Sequence, residues 1–327
     1  MTDNTIRWGI IGCGDVTEVK SGPAFNKVPH SKLVAVMRRN AEKAADYARR
    51  HGVERWYSDA EQLINDPEVN AIYVATPPLQ HEEYTIAALR AGKPVYVEKP
   101  MAIHADAAAR MAQAALDTGV KLTVAHYRRA QPLFLKVKSL LEEGAIGVPR
   151  LVNLYCLQPH RDNKIASTED PWRYHPAISG GGLFYDLAPH QLDLMLYFLG
   201  TPEKVSGLSV NASKLYGADD TTIGQALFPN NVLFNGTWSF TVPEKRDHCE
   251  IIGTGGSLQF SIFDHRLLVL KQGDREQQFA FDPLPHVQQP MIQKVVDYFL
   301  NRGDNPCSAD EGVTVMQMID AMAGGEW

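Results

Sequence analysis

Gly12, Gly14, Lys99, Asp186 and His190 are the residues of this 327-residue sequence whose types and spacing could do chemistry. Gly9-Ile10-Ile11-Gly12-Cys13-Gly14-Asp15-Val16-Thr17 follows an apolar run and opens a helical stretch. In that context Gly12 permits a tight turn and Gly14 lets the backbone approach a pyrophosphate, so the loop of Gly12, Cys13, Gly14, Asp15 and Val16 is expected to hold a dinucleotide. Thr17 stands where a smaller residue is usual in this pattern, which predicts a first helix slightly farther from its sheet. Arg38 and Arg39 end the second apolar run, where an NAD-preferring site usually carries an acid. Two guanidinium groups attract a 2′-phosphate, so NADP is expected to be preferred over NAD.

Two further segments stand at the carboxyl ends of later apolar runs, where doubly wound sheets bind ligands. They are Thr76-Pro77-Pro78-Leu79-Gln80-His81 and Glu98-Lys99-Pro100. Farther on, Gly180-Gly181-Gly182 precedes a helix expected at about Asp186–Leu199, which carries Asp186 and His190 one turn apart on one face. Pro189 lies between them, and a proline is tolerated best in the first turn, where its missing amide costs nothing. His190 is therefore expected near a helix N-terminus, whose dipole would keep the imidazole neutral.

The elements that must position these residues fall into two patterns. From Ile6 to about Ala125, apolar runs (Ile6–Ile11, Leu33–Met37, Ala71–Val74, Val95–Val97, Leu122–Ala125) alternate with amphipathic stretches, the sequence form of βαβ units. Asn40 can cap a helix over Ala41–Arg50 that Gly52 ends, and Ser58 with Glu61 has capping-box spacing. After Ala125 comes a helix at Pro132–Glu143, then strands at Arg150–Gln158, Lys204–Ser213, Thr221–Phe228, Val232–Phe240, His248–Gly253, Ser257–Ser261, Arg266–Lys271 and Gln277–Phe281. Helices at Gln289–Asn301 and Ala309–Met322 close the chain. The fold class expected is α/β followed by α+β: an N-terminal Rossmann doubly wound parallel sheet over 1–125, then a C-terminal, largely antiparallel open sheet with helices on one face over 126–327.

Composition narrows the partners. A formal charge of −6 without any long Lys/Arg run excludes nucleic acid and anionic membrane surfaces as expected partners. The polar start, Met1 to Arg7, lacks the regions of a signal peptide, so none is expected there, and no apolar run approaches a membrane span. Cys13, Cys156, Cys249 and Cys307 lack CxxC spacing, so no metal site or disulfide framework is expected, and a cytoplasmic location is. An open sheet covered on one face predicts a homodimer or homotetramer.

In order and spacing the motifs resemble the glucose–fructose oxidoreductase / inositol dehydrogenase (Gfo/Idh/MocA) family over essentially the whole chain. The residues that carry the resemblance are the Gly12/Gly14 loop, Ala75-Thr76-Pro77 with His81, Glu98-Lys99-Pro100, Tyr127-Arg128-Arg129, Trp172-Arg173, Gly180–Gly182, Asp186-xxx-His190 and Gly253-Thr254-Gly255-Gly256-Ser257. The resemblance implies an enzyme that moves hydride between NAD(P) and a sugar, inositol, related polyol or carbonyl, without metal. It implies a lysine at Lys99 followed by a cis bond to Pro100, and an acid/base pair at Asp186 and His190. The physical reading agrees. Oxidising a secondary alcohol requires removal of its proton as hydride leaves carbon, which suits a neutral imidazole, while Lys99 would stabilise the developing alkoxide. Asp186 can orient the imidazole or hold substrate hydroxyls.

The cofactor set implied is Gly12, Cys13, Gly14, Asp15, Val16, Arg38, Arg39, Thr76, Pro77, Leu79, Gln80, His81, Glu98, Lys99, Trp172 and Arg173, and the substrate set Lys99, Tyr127, Arg128, Trp172, Asp186 and His190. Trp172-Arg173 reads either as a core aromatic with a salt-bridged arginine or as a lid over nicotinamide. Arg128 and Arg129 read either as internally paired or as ligand contacts. The alternatives are an NADP-dependent carbonyl or diol reductase, a glycosidase using transient oxidation, and a non-catalytic dinucleotide-binding regulator. Retention of Lys99, Asp186 and His190 together favours catalysis.

Overall fold

The computed structural model describes residues 4–160, 172–264 and 266–327. These form two compact units, one of residues 4–127 and Pro285–Val313, the other of 128–160, 172–264, 266–284 and Thr314–Trp327. Residues 285–313, which follow the strand-rich half in sequence, thus pack with the first unit.

The first unit is built on six parallel strands, β1 (Ile6–Ile11), β2 (Ser31–Met37), β3 (Arg55–Tyr57), β4 (Ala71–Val74), β5 (Val95–Val97) and β6 (Leu122–Val124), in the order β3-β2-β1-β4-β5-β6. That is the Rossmann order, with the strand order reversing between β1 and β4. Strands β4, β5 and β6 are buried at every position, as expected where helices cover both faces of a parallel sheet. The connecting helices are α1 (Asp15–Val19), α2 (Ala41–His51), α3 (Ala60–Ile64), α4 (His81–Arg90) and α5 (Ala105–Thr118). The Asn40 side chain accepts from the Lys43 amide at 2.9 Å, and α2 ends on Gly52 at φ 65°. At α3 the cap falls one residue later than expected: Asp59, not Ser58, accepts from the Gln62 amide at 3.0 Å. Aspartate is an equally good cap, so local spacing alone could not choose between neighbours.

In the second unit α6 (Pro132–Glu142) precedes eight strands: β7 (Pro149–Leu157), β8 (Lys204–Val210), β9 (Thr221–Phe228), β10 (Val232–Ser239), β11 (Arg246–Gly253), β12 (Ser257–Phe260), β13 (Leu267–Gln272) and β14 (Arg275–Ala280). Their order is β14-β13-β12-β11-β7-β10-β9-β8, and only β7 and β10 pair in parallel. One face alternates inward, with Val152, Leu154, Phe234, Trp238, Cys249, Ile251, Leu258 and Leu268 all buried. The other face carries Leu208, Ile223 and Leu233, which are 77%, 49% and 56% exposed. Between β7 and β8 lie α7 (Pro176–Ser179) and the long helix α8 (Leu183–Leu199). The chain ends with α9 (Gln289–Phe299) in the first unit and α10 (Ala309–Met322). Gly207 and Gly224 let the end of α10 reach the second sheet, because a Cβ at either position would collide with Met322. No helix of the described residues is long and apolar enough to cross a membrane.

Candidate active site

In the first unit the glycine loop joins β1 to α1. Gly12 has φ +97°, and a Cβ there would lie 2.7 Å from the Thr76 amide nitrogen, so only glycine fits. Gly14 differs: its missing Cβ would meet nothing nearer than the Gly12 carbonyl at 3.9 Å, which leaves open space above the loop. Thr17 is fully buried and its hydroxyl donates to the Gly14 carbonyl at 2.7 Å, so the larger third residue ties the turn internally. Cys13 is buried, and burial pushes its thiol up to about 11 against the pull of Arg38, which makes it a packing residue rather than a thiolate. Asp15 is exposed and Val16 half-buried at the start of α1. Arg38 reaches back over the loop, Nη1 to the Cys13 carbonyl at 3.4 Å, while Arg39 is exposed.

The loop after β4 continues the same rim. Leu79 is 44% exposed, and Thr76, Pro77 and Gln80 are half-buried. The Thr76 hydroxyl and the Gln80 side-chain oxygen Oε1 are buried with no hydrogen-bond partner among the described residues. Orphaned polar atoms beside an open glycine loop fit a polar ligand that would satisfy them, and a dinucleotide meets that description. His81 is buried, with Nδ1 2.9 Å from the Pro100 carbonyl and Nε2 2.7 Å from the Thr76 carbonyl. Burial lowers its pKa against the pull of both carbonyls. Its position makes it a brace between the β4 and β5 loops.

Glu98 follows β5 directly as a buried carboxylate. It accepts from the Tyr73 hydroxyl, from Gln288 Nε2 at 2.6 Å and from the Lys99 amide at 3.1 Å. Tyr96 in turn donates to Gln288 Oε1 at 3.2 Å. Burial and the Glu98 charge hold the Tyr73 phenol well above its ordinary pKa, so it remains a donor. Lys99 is half-buried and its bond to Pro100 is cis. Gln288 was not among the expected site residues. It lies 190 positions from Glu98, and no local spacing signals such a pairing.

In the second unit α8 carries Asp186 and His190, 4% and 6% exposed and one turn apart. The helix begins at Leu183, not Asp186, so Pro189 is its seventh residue and lies in the interior. The expectation that His190 sits at a helix N-terminus is therefore corrected, and the dipole argument for its neutrality lapses. Proline here leaves the Tyr185 carbonyl without its i+4 amide, and the helix is long and buried enough to absorb that loss. Asp186 accepts from Arg173 Nε at 2.7 Å, and the Arg173 guanidinium stacks 4.4 Å from the Trp172 ring. Trp172 and Arg173 form a short 3-10 turn with Tyr174. Of the segment between β7 and α8, residues 158–160 and 172–182 are described; 161–171 lie outside the described residues.

The two arginines after Tyr127 separate in role. Tyr127 is buried at the end of the first unit. Arg129 forms a buried bidentate pair with Asp193, Nε to both carboxylate oxygens at 2.9 and 3.0 Å, and so braces α8 one turn beyond His190. Arg128 donates to the Ile262 carbonyl and lies 4.8 Å over the Phe263 ring. Both are internally engaged. Among the described residues no group of three or more His, Cys, Asp or Glu is placed to hold a metal ion.

Comparison with known proteins decides the family. A model described as an oxidoreductase family with NAD-binding Rossmann fold matches residues 6–126, and the GFO/IDH/MocA C-terminal domain matches 134–259. The chain belongs to the Gfo/Idh/MocA oxidoreductase family. It is 46% identical over 322 residues to Oxidoreductase P35 of Formosa agariphila, covering 98% of this chain and 99% of that protein. It is 28% identical over 333 residues to 1,5-anhydro-D-fructose reductase of Ensifer adhaerens, covering 98% and 97%. In fold it matches a solved levoglucosan dehydrogenase in complex with NADH and levoglucosan, with a TM-score of 0.85 and 24% identity over 97% of this chain and 96% of that one. As a Gfo/Idh/MocA member the chain is an oxidoreductase dependent on a nicotinamide dinucleotide.

Proposed function

We propose that this enzyme transfers hydride between NADP and a ring hydroxyl or carbonyl of a sugar or cyclic polyol. The observation that carries the reading is the buried Asp186–His190 pair on α8, with Asp186 fixed by Arg173. Relatives whose names specify an anhydrosugar or an inositol as substrate support the substrate class. The first unit serves as the dinucleotide domain and the second as the substrate domain.

Gly12 and Gly14 give the pyrophosphate its backbone cradle, Arg38 and Arg39 the 2′-phosphate its countercharge, and Thr76 and Gln80 offer their orphaned oxygens to the same ligand. When bound, the dinucleotide supplies the hydride acceptor for alcohol oxidation and the donor for carbonyl reduction. In oxidation His190 takes the hydroxyl proton while the C–H electron pair leaves and the C=O bond forms; in reduction it returns that proton. Lys99 serves to stabilise negative charge that develops on a substrate oxygen. Asp186 holds its place through Arg173 and supports the imidazole as it becomes charged. Trp172 and Arg173 flank this acid/base pair as its cover.

The reading extends to a cytoplasmic enzyme assembled as a homodimer or homotetramer through the open face of the second sheet. Four buried free cysteines and the apolar residues of that face support it. The direct test is a panel of 1,5-anhydro-D-fructose, levoglucosan, scyllo-inositol and free aldoses, followed by reduced-cofactor absorbance with NADP and with NAD. Turnover of a ring hydroxyl or carbonyl is expected; activity confined to acyclic aldehydes would contradict the substrate class.

A further inference from the structure

The turn after β12 is held by one carboxylate. Asp247, on β11, accepts from the Ile262, Phe263 and Asp264 amides at 3.2, 2.6 and 3.2 Å, and from the Ser261 hydroxyl. Three consecutive amides converging on one anion fix the backbone far more tightly than solvent would. The turn presents Phe263, which is only half-buried although apolar. Its ring meets the His190 imidazole at 5.9 Å between centroids and 81° between planes. The Arg128 guanidinium backs the same ring at 4.8 Å and donates to the Ile262 carbonyl of the same turn.

An imidazole on a fixed helix still rotates about its outer side-chain bond, and a proton acceptor must present its nitrogen within hydrogen-bond reach. An edge-to-face aromatic contact limits that rotation. We propose that Phe263 is a positioning residue for His190, its ring set by the Asp247-held turn and backed by Arg128 so that the imidazole keeps one plane. The inference rests on His190 acting as the proton acceptor. Phe263 acts through His190 and forms no bond in the reaction.

The test uses the full-length enzyme with whichever compound of the sugar and polyol panel it turns over fastest. Phe263→Leu should lower kcat about tenfold, with KM and the NADP dissociation constant changed less than about twofold, and Phe263→Tyr should restore most of the loss. In a His190→Ala background, Phe263→Leu should cost nothing further, which separates positioning from general structural damage. An equal fractional loss in both backgrounds would overturn the proposal. If His190→Ala itself left turnover unchanged, the underlying reading would fall, and the two failures are thus distinct. A second readout needs no substrate: histidine side-chain NMR, with His190 assigned by its absence from His190→Ala. The His190 ring resonance should move in Phe263→Leu and stay in Phe263→Tyr; an unmoved resonance in both would overturn the contact on which the proposal stands.

Discussion

Arg173 Nε lies 2.7 Å from Asp186 Oδ2, and the two side chains are 12% and 5% exposed. The carboxylate of the proposed acid/base pair is therefore a partner in a buried ion pair. Arg173→Leu removes a cation from beside a buried carboxylate and should destabilise the protein by about 3 kcal/mol, whereas an exposed pair would contribute about 1 kcal/mol or less. Adding Asp186→Leu should recover part of the loss. Urea denaturation of the two variants checks both statements, and a loss below about 0.5 kcal/mol for Arg173→Leu would contradict the pair's role.

NADP should bind more tightly than NAD, because Arg38 lies over the glycine loop with Nη1 3.4 Å from the Cys13 carbonyl and Arg39 is exposed beside it. Arg38→Asp exchanges attraction for repulsion at the 2′-phosphate and should reverse the order. Titration of protein fluorescence with each cofactor reads this directly, and equal dissociation constants in the unmodified protein would contradict it.

Acid should remove stability in a defined window. Burial alone would raise the Asp66 carboxyl, but the Glu68 amide at 2.9 Å, the Tyr57 hydroxyl at 2.9 Å and Arg55 at 2.8 Å outweigh it and hold it below its ordinary value. A carboxylate depressed in the fold contributes stability that is complete above its unfolded pKa of about 3.9 and is lost as pH falls through the folded value. Asp66→Asn should therefore be less stable than the unmodified protein near neutral pH, with the gap closing as pH drops below about 4. A gap independent of pH would show that the carboxylate's charge is not what matters.

Leu208, Ile223 and Leu233 share the open face of the second sheet, since Leu208 pairs with Ile223, Ile223 with Thr237, and Leu233 lies two side-chain repeats along β10 from Thr237. Light scattering at micromolar concentration should report a homodimer or homotetramer, and Leu208→Glu with Leu233→Glu should shift it toward monomer. A monomeric unmodified protein would refute the assembly.

How much of this was legible in the sequence depends on the range of each interaction. Asn40 with Gly52, the Gly12 turn and the strand at Thr221–Phe228 are local patterns, and each has its expected place in the structure. Strand β3 was missed because Arg55-Trp56-Tyr57 is three residues long and none of them is fully buried, so it shows neither period nor apolar run. Pro189 misled because proline's cost depends on what surrounds the helix, and α8 is buried along nearly its whole length. Asp186 and His190 were visible as a spacing. Their supports were less so: Arg173 reads in the sequence as salt-bridged or as a lid, without its partner Asp186 being named, whereas Gln288 beneath Glu98 and the Asp247-held Phe263 beside His190 arise only when distant strands and turns are brought together.

The central claim is that Lys99 and His190 act on the reacting oxygen while Gly12 and Arg38 act on cofactor binding. Turnover of Lys99→Ala and His190→Ala, measured beside their NADP dissociation constants, tests it most directly. The account predicts a fall in kcat of about two to four orders of magnitude in each variant, the range for losing a positioned proton-transfer or charge-stabilising group, with cofactor affinity changed no more than about threefold. Unchanged turnover in both variants would contradict it and would make the constellation of Lys99, Asp186 and His190 a structural one.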